Sequence, residues 1–144
     1  MRIGGYDQAL TDGKWFSFDK GTFRVKLRPF KPFELMYDSK LDWKNLKLDQ
    51  IYMIISKRMR AAILDWEGLE NQDGATQPFD AKLLERDSFI YELAFSKVTP
   101  DDDFIDYDKE TGKELPREVE FQNWFQRIMR TPASFREDEA SKGF

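Results

Sequence analysis

The sequence predicts an α+β domain, mainly helical, with an N-terminal β-hairpin and a second small hairpin nearer the C-terminus. Three observations carry this prediction. Between Lys14 and Arg28, Trp15, Phe16 and Phe18 precede a run in which Phe23, Val25 and Leu27 alternate with Arg24, Lys26 and Arg28, the period of a strand with one buried face. From Asp49 to Trp66, and again from Phe121 to Met129, apolar residues recur at intervals of three and four, the period of a helix with one buried face. Between Phe104 and Lys113 an acidic run ends on Thr111, Gly112 and Lys113, the composition of a hairpin tip.

Taken in order, residues 1–13 hold paired glycines and polar residues before Asp12-Gly13, and read as a flexible arm. A single domain follows over residues 14–131, and residues 132–144 read as a charged tail. Asp19, Lys20, Gly21 and Thr22 separate the two strand-forming runs, with Gly21 suited to a short hairpin loop. The hairpin's apolar face needs a cover, which the following helices supply. Pro29 and Pro32 end the second strand, Pro32 is tolerated in a first helical turn, and Phe33, Leu35, Met36 and Tyr37 predict a short helix there. Asp42 to Lys47 is either a connection or an early turn of the central helix.

Ile51, Ile55, Met59, Ala62, Ile63 and Trp66 place one apolar face on that central helix, with Lys57, Arg58 and Arg60 falling largely elsewhere. The helix is expected to stop at Trp66-Glu67-Gly68-Leu69, where Gly68 offers a left-handed residue. Asp73-Gly74 supplies a tight turn, and Pro78-Phe79 restarts the chain ahead of Asp80, a good N-cap. Trp66, Gly68, Asp73, Gly74, Pro78 and Phe79 are therefore candidates for a structural turn. After it, Leu83, Leu84, Ile90, Tyr91, Leu93, Ala94, Phe95 and Val98 form a broad helical face, interrupted at Asp87-Ser88 by a polar notch or by the cap of a separate helix. Pro100 opens the acidic segment, Glu114-Leu115-Pro116 leads into the last helix, and Pro132 closes it. In that helix Phe121, Trp124, Phe125, Ile128 and Met129 follow i, i+3, i+4, i+7 and i+8. Such a stripe ordinarily buries inside its own domain; on a helix followed only by a charged tail, it can instead enter another protein's groove as a partner-binding surface.

Composition excludes several chemistries. A chain of 144 residues fits one domain and buries about two thirds of its unfolded surface. The net charge of -4 argues against nucleic acid, because Lys57, Arg58 and Arg60 are only a modest cluster. No apolar run approaches a membrane span and the start lacks the regions of a signal peptide, so a cytoplasmic protein is expected. With Cys 0 there is no disulfide or thiolate metal site, and with His 0 the usual general base and commonest transition-metal ligand are missing. An EF-hand begun at Asp106 places Asp108 and Glu110 acceptably, but Gly112 falls one residue late and Arg117 stands where a bidentate Glu belongs. No glycine pattern has the form of a phosphate loop. The expectation is a protein without enzymatic activity, metal or cofactor.

Gly13, Trp15, Phe16 and Phe18, a proline-linked short helix, then Asp65-Trp66-Glu67-Gly68-Leu69 with Asp73-Gly74 and Pro78-Phe79, resemble the small tail-assembly chaperones of long-tailed bacteriophages and prophages. The resemblance covers roughly Gly13 to Lys97, and the spacing from Trp66 through Gly68, Leu69 and Gly74 to Pro78-Phe79 is its most specific part. It implies a non-enzymatic protein that coats the tape-measure protein and helps recruit tail-tube subunits; apart from the resemblance, action in many copies along the client and self-association are expected. A structural virion component, such as a head-tail connector, and a phage-encoded inhibitor of a host protein are the competing classes.

Overall fold

The alternation of residues 14–28 produces the hairpin it predicts. In the computed structural model, which describes residues 1–103 and 105–135, β1 (Lys14–Phe18) and β2 (Phe23–Leu27) pair antiparallel with Phe16 opposite Val25 and Phe18 opposite Phe23. Phe18, Phe23, Val25 and Leu27 all point into the core. The α+β architecture is observed, with helices α1 (Gly5–Asp12), α2 (Pro32–Ser39), α3 (Leu48–Ala62), α4 (Ala81–Leu84), α5 (Asp87–Phe95) and α6 (Phe121–Met129); α3, α5 and α6 pack on one another and α4 packs on α5. Pro32 opens α2 as expected, and a 3-10 turn (Trp43–Asn45) fills the connection to α3. Asp80 caps α4, its carboxylate accepting from the Lys82 N–H at 2.9 Å. The Asp87-Ser88 break is the start of a separate helix, but neither residue caps it: Arg86 holds the N-cap position without a side-chain hydrogen bond, and Asp87 lies in the first turn.

The sheet has a third strand that the helical pattern concealed. α3 ends at Ala62, and Ile63–Glu67 form β3, antiparallel to β2 on the side away from β1. The sequence placed Ile63 and Trp66 on the helix face because they are three apart. In β3 the register slips between Lys26 and Leu27, with Lys26 facing Asp65 and Leu27 facing Ile63, so Leu64 is the extra residue of a bulge. One extra residue turns a two-residue repeat into a three-residue one, and both Ile63 and Trp66 remain buried.

The N-terminal arm is also a correction. Residues 5–12 are helical, Ala9 is buried, the Tyr6 hydroxyl donates to the Phe30 carbonyl, and Gly13 closes the helix by donating its N–H to Ala9 O at 2.8 Å. This helix packs against a second 3-10 turn, Pro132–Phe135, so the first described part of the tail is docked as well, with Phe135 buried and its Ser134 carbonyl accepting from Lys14 Nζ at 2.6 Å. The rest of the predicted tail, residues 136–144, lies outside the described residues.

β4 (Lys97–Val98) and β5 (Val119–Glu120) pair antiparallel at the base of the acidic segment. The hairpin tip itself carries one bridge, between Tyr107 and Glu114, with Asp108 N–H donating to Lys113 O at 2.8 Å; Phe104 lies outside the described residues. β5 runs directly into α6, and the Phe121 N–H donates to Ser96 O at 2.8 Å, placing α6 beside α5 and beneath the hairpin. Phe18 meets the Trp124 ring edge-on with centroids 4.5 Å apart, and Phe16 touches both Trp124 and Phe135 at 5.4 Å. Phe125 is 0% exposed in this core. Phe125→Ala is expected to destabilise the domain by about 3–5 kcal/mol, read as a lower urea midpoint at an unchanged slope.

Candidate functional site

The predicted turn is a structural unit. The Trp66 ring packs edge-on against Phe79 at 4.7 Å and stacks with Phe89 at 5.4 Å, while its Nε1–H donates to Gln77 O at 2.9 Å. Asn71 rather than Asp73 organises the tip, its carboxamide oxygen accepting from Asp73 N–H at 3.0 Å and Ala75 N–H at 3.1 Å. Gly68 (φ 80) follows a strand, not the helix the sequence suggested, and a Cβ there would lie 1.9 Å from Thr22 O in the hairpin loop. Gly74 has the same φ but faces open space, and Pro78 is exposed beside half-buried Phe79.

The last-helix stripe is not a surface. Phe121, Trp124, Phe125, Ile128 and Met129 are between 0% and 6% exposed, because the hairpin face and α3 and α5 close over them. The partner-binding role considered for these residues is therefore replaced by a core role.

The acidic run is likewise structural. Lys20 and Gly21 donate their N–H groups to the two Asp101 oxygens, each at 2.9 Å, in a loop where Asp19, Lys20 and Gly21 all have positive φ. Burial acts to raise the Asp101 pKa, but the Lys20 N–H, the Ser17 hydroxyl, the Gly21 N–H and the Arg117 charge together hold it below the ordinary 3.8. Asp102 Oδ2 accepts from both Trp124 Nε1 and Arg127 Nη2 at 3.1 Å, pinning the segment onto α6. Asp108 accepts from the N–H groups of Glu110 and Thr111. Among the described residues no three acidic side chains stand together in a way that would hold a metal ion.

What the sequence did not single out is a groove between α2 and α3. Phe30 and Ile54 line it with Phe33, Tyr37 and Ala61, around a space of about 390 Å³. Phe33, Met36 and Tyr37 keep 67%, 62% and 64% of their surface in water, an i, i+3, i+4 ridge on the outer side of α2. A groove flanked by such a ridge is a geometry that accepts a further helix. Its walls are braced. Arg28 Nη1 pairs with Glu34 at 2.9 Å, and Arg58 Nη1 lies 2.7 Å from Asp38 Oδ1, an ion pair whose geometry is off the hydrogen-bond line. Arg58 sits over the rings of Phe30 and Trp43, and Arg130 stacks on Trp43 at 4.3 Å while reaching Asp38 Oδ2 at 3.4 Å. A second aromatic group, half-buried Tyr52 with exposed Tyr91 and Phe95, joins α3 to α5. No helix among the described residues is long and apolar enough to cross a membrane.

Comparison with family models, with curated proteins and with solved structures finds no match to this chain.

Two outcomes follow from the turn and the acidic run. Gly68→Ala is expected to lower Tm far more than Gly74→Ala, because the first forces the loop backbone at Thr22 to move while the second adds only the left-handed strain of about 1–2 kcal/mol; equal shifts would refute the close approach. Asp101 has a depressed folded pKa, so its stabilisation is present above the unfolded value and is lost as pH falls through the folded one. Asp101→Asn should therefore be less stable than wild type at pH 7, with the two unfolding curves converging on acidification below pH 3.8.

Proposed function

We propose that this chain is a non-enzymatic tail-assembly chaperone of a long-tailed bacteriophage or prophage, holding the tape-measure protein and helping to recruit tail-tube subunits in the cytoplasm of the bacterial host. The observation that carries this reading is the α2–α3 groove, where Phe33 and Tyr37 remain in water on a braced helix pair, with Met36 exposed beside them on α2. Large apolar side chains clustered in water mark a surface that meets a partner. A tape-measure protein is a long helical client, and an amphipathic helix laid into such a groove is a recurring mode of recognition. The sequence adds the resemblance of the Gly13 to Phe18 hairpin and the Trp66 to Phe79 turn to small tail-assembly chaperones.

A chaperone must also release its client. Individually modest grooves, repeated on many copies along one long chain, give strong holding that ends when subunits displace them one at a time. Aromatic anchors suit this, since a few such residues dominate an interface while surrounding charges keep the free protein dissolved. No cofactor, metal, nucleic acid or membrane enters this reading.

Co-expression with the very long tape-measure protein that this reading requires in the same genome tests it. The tagged chain should keep that client soluble and co-purify with it. The double variant Phe33→Ser, Tyr37→Ser should retain its Tm and lose at least roughly 10-fold in affinity, the change produced by about 1.4 kcal/mol. A wild-type chain that fails to recover the client removes the assignment. Retention in purified virions would favour a structural virion component instead, and a stable complex with a host enzyme would favour an inhibitor.

A further inference from the structure

We propose that the helix the α2–α3 groove takes is an acidic amphipathic one, with an aliphatic stripe flanked by carboxylates; this rests on the reading of the groove as a client site. The argument is charge complementarity. The groove and its braces carry five cationic groups, Arg28, Lys31, Lys57, Arg58 and Arg130, against two carboxylates, Glu34 and Asp38. Both carboxylates are consumed inside the fold. Glu34 is held by Arg28 at 2.9 Å and by the Lys31 N–H at 2.7 Å, and Asp38 lies between Arg58 and Arg130.

Burial acts to raise the Glu34 pKa, but the Arg28 hydrogen bond and charge and the Lys31 N–H outweigh it and lower the value, so this side chain stays ionised and occupied at neutral pH. Lys57 is different. It is exposed on the α3 wall, with no ion pair to any described residue, and one turn beyond it the exposed Ala61 leaves room for a close approach. The field over the apolar floor is therefore positive on a protein whose formal net charge is -4. A basic helix with the same stripe would be attracted by the protein as a whole and repelled at the groove, whereas an acidic one gains its ion pairs only when its stripe is seated.

The test uses the full chain and two synthetic amphipathic helices that share one leucine stripe, flanked by Glu in the first and by Lys in the second, each labelled for fluorescence anisotropy. At low salt the Glu-flanked helix should bind roughly 10-fold tighter or more. The preference should shrink at about 1 M salt, where the screening length is about 3 Å. Lys57→Glu should reduce or reverse it with Tm unchanged, and Phe33→Ser should weaken both helices. Equal affinities, a preference for the Lys-flanked helix, a preference indifferent to Lys57→Glu, or no binding of either would overturn the proposal. So would concentration-dependent self-association abolished by Phe33→Ser, because the groove's occupant would then be a second copy. Co-purification with the tape-measure protein is read separately: retained beside a failed peptide preference, it removes the acidic-helix inference alone.

Discussion

The apolar face of the β1–β2 hairpin leaves water only by packing on a helix from the far end of the chain. Phe18 and Trp124 meet at 4.5 Å across more than a hundred residues, and Phe23 and Phe121 extend the same seam. A two-stranded hairpin is marginal by itself, and α6 has nine residues, too few to be stable alone. Each completes the other. The β4–β5 pair and the Phe121–Ser96 hydrogen bond deliver α6 to that position, and the Asp102 carboxylate then ties the intervening acidic segment to Trp124 and Arg127. A stripe with this duty has no free face left for a partner.

How far the sequence could be read follows from what its patterns encode. Period two in residues 23–27 and period three-to-four in residues 121–129 each identify an element and its buried face, and both elements stand where the pattern puts them. The pattern around Ile63 failed because a bulged strand and a helix both bring residues three apart onto one face. What separates them is the open edge of β2, whose backbone groups need a partner; that need arises in the assembled sheet and leaves no mark in the residues of β3. Residues 1–13 failed for a related reason, since what holds α1, the Tyr6 bond to Phe30 and the packing on the Pro132–Phe135 turn, is distant in sequence.

The site was less legible than the fold. Apolar periodicity says that a face exists and is silent on what covers it, so the strongest stripe in the chain drew attention as a partner surface and proved to be core. The usable signal lay in α2. Phe33, Met36 and Tyr37 occupy one side of an eight-residue helix while Leu35 packs from another, so the helix is apolar on two faces and can bury only one of them in its own domain. The acidic run misled in the opposite sense. Its carboxylates look like ligands or solvated charge, yet Asp101 and Asp102 accept hydrogen bonds from a left-handed loop and from the core Trp124, because converging N–H groups satisfy a carboxylate as well as a metal does.

Arg58 joins the two halves of this picture. Its guanidinium lies over Phe30 on the groove floor and over Trp43, pairs with Asp38 of α2, and donates to the buried Gln126 of α6 at 3.3 Å. One side chain thus fixes α2 and α3 relative to the helix that anchors the hairpin, and it does so from a half-buried position where a guanidinium keeps its charge while its flat faces cover aromatic rings. The consequence for binding is preorganisation. A groove whose walls are set by the core would lose little order on being filled, which is what the proposed helix site requires. The exposed ridge of α2 is thus tied to the helix that anchors the hairpin through two ion-paired and stacked arginines, Arg58 and Arg130.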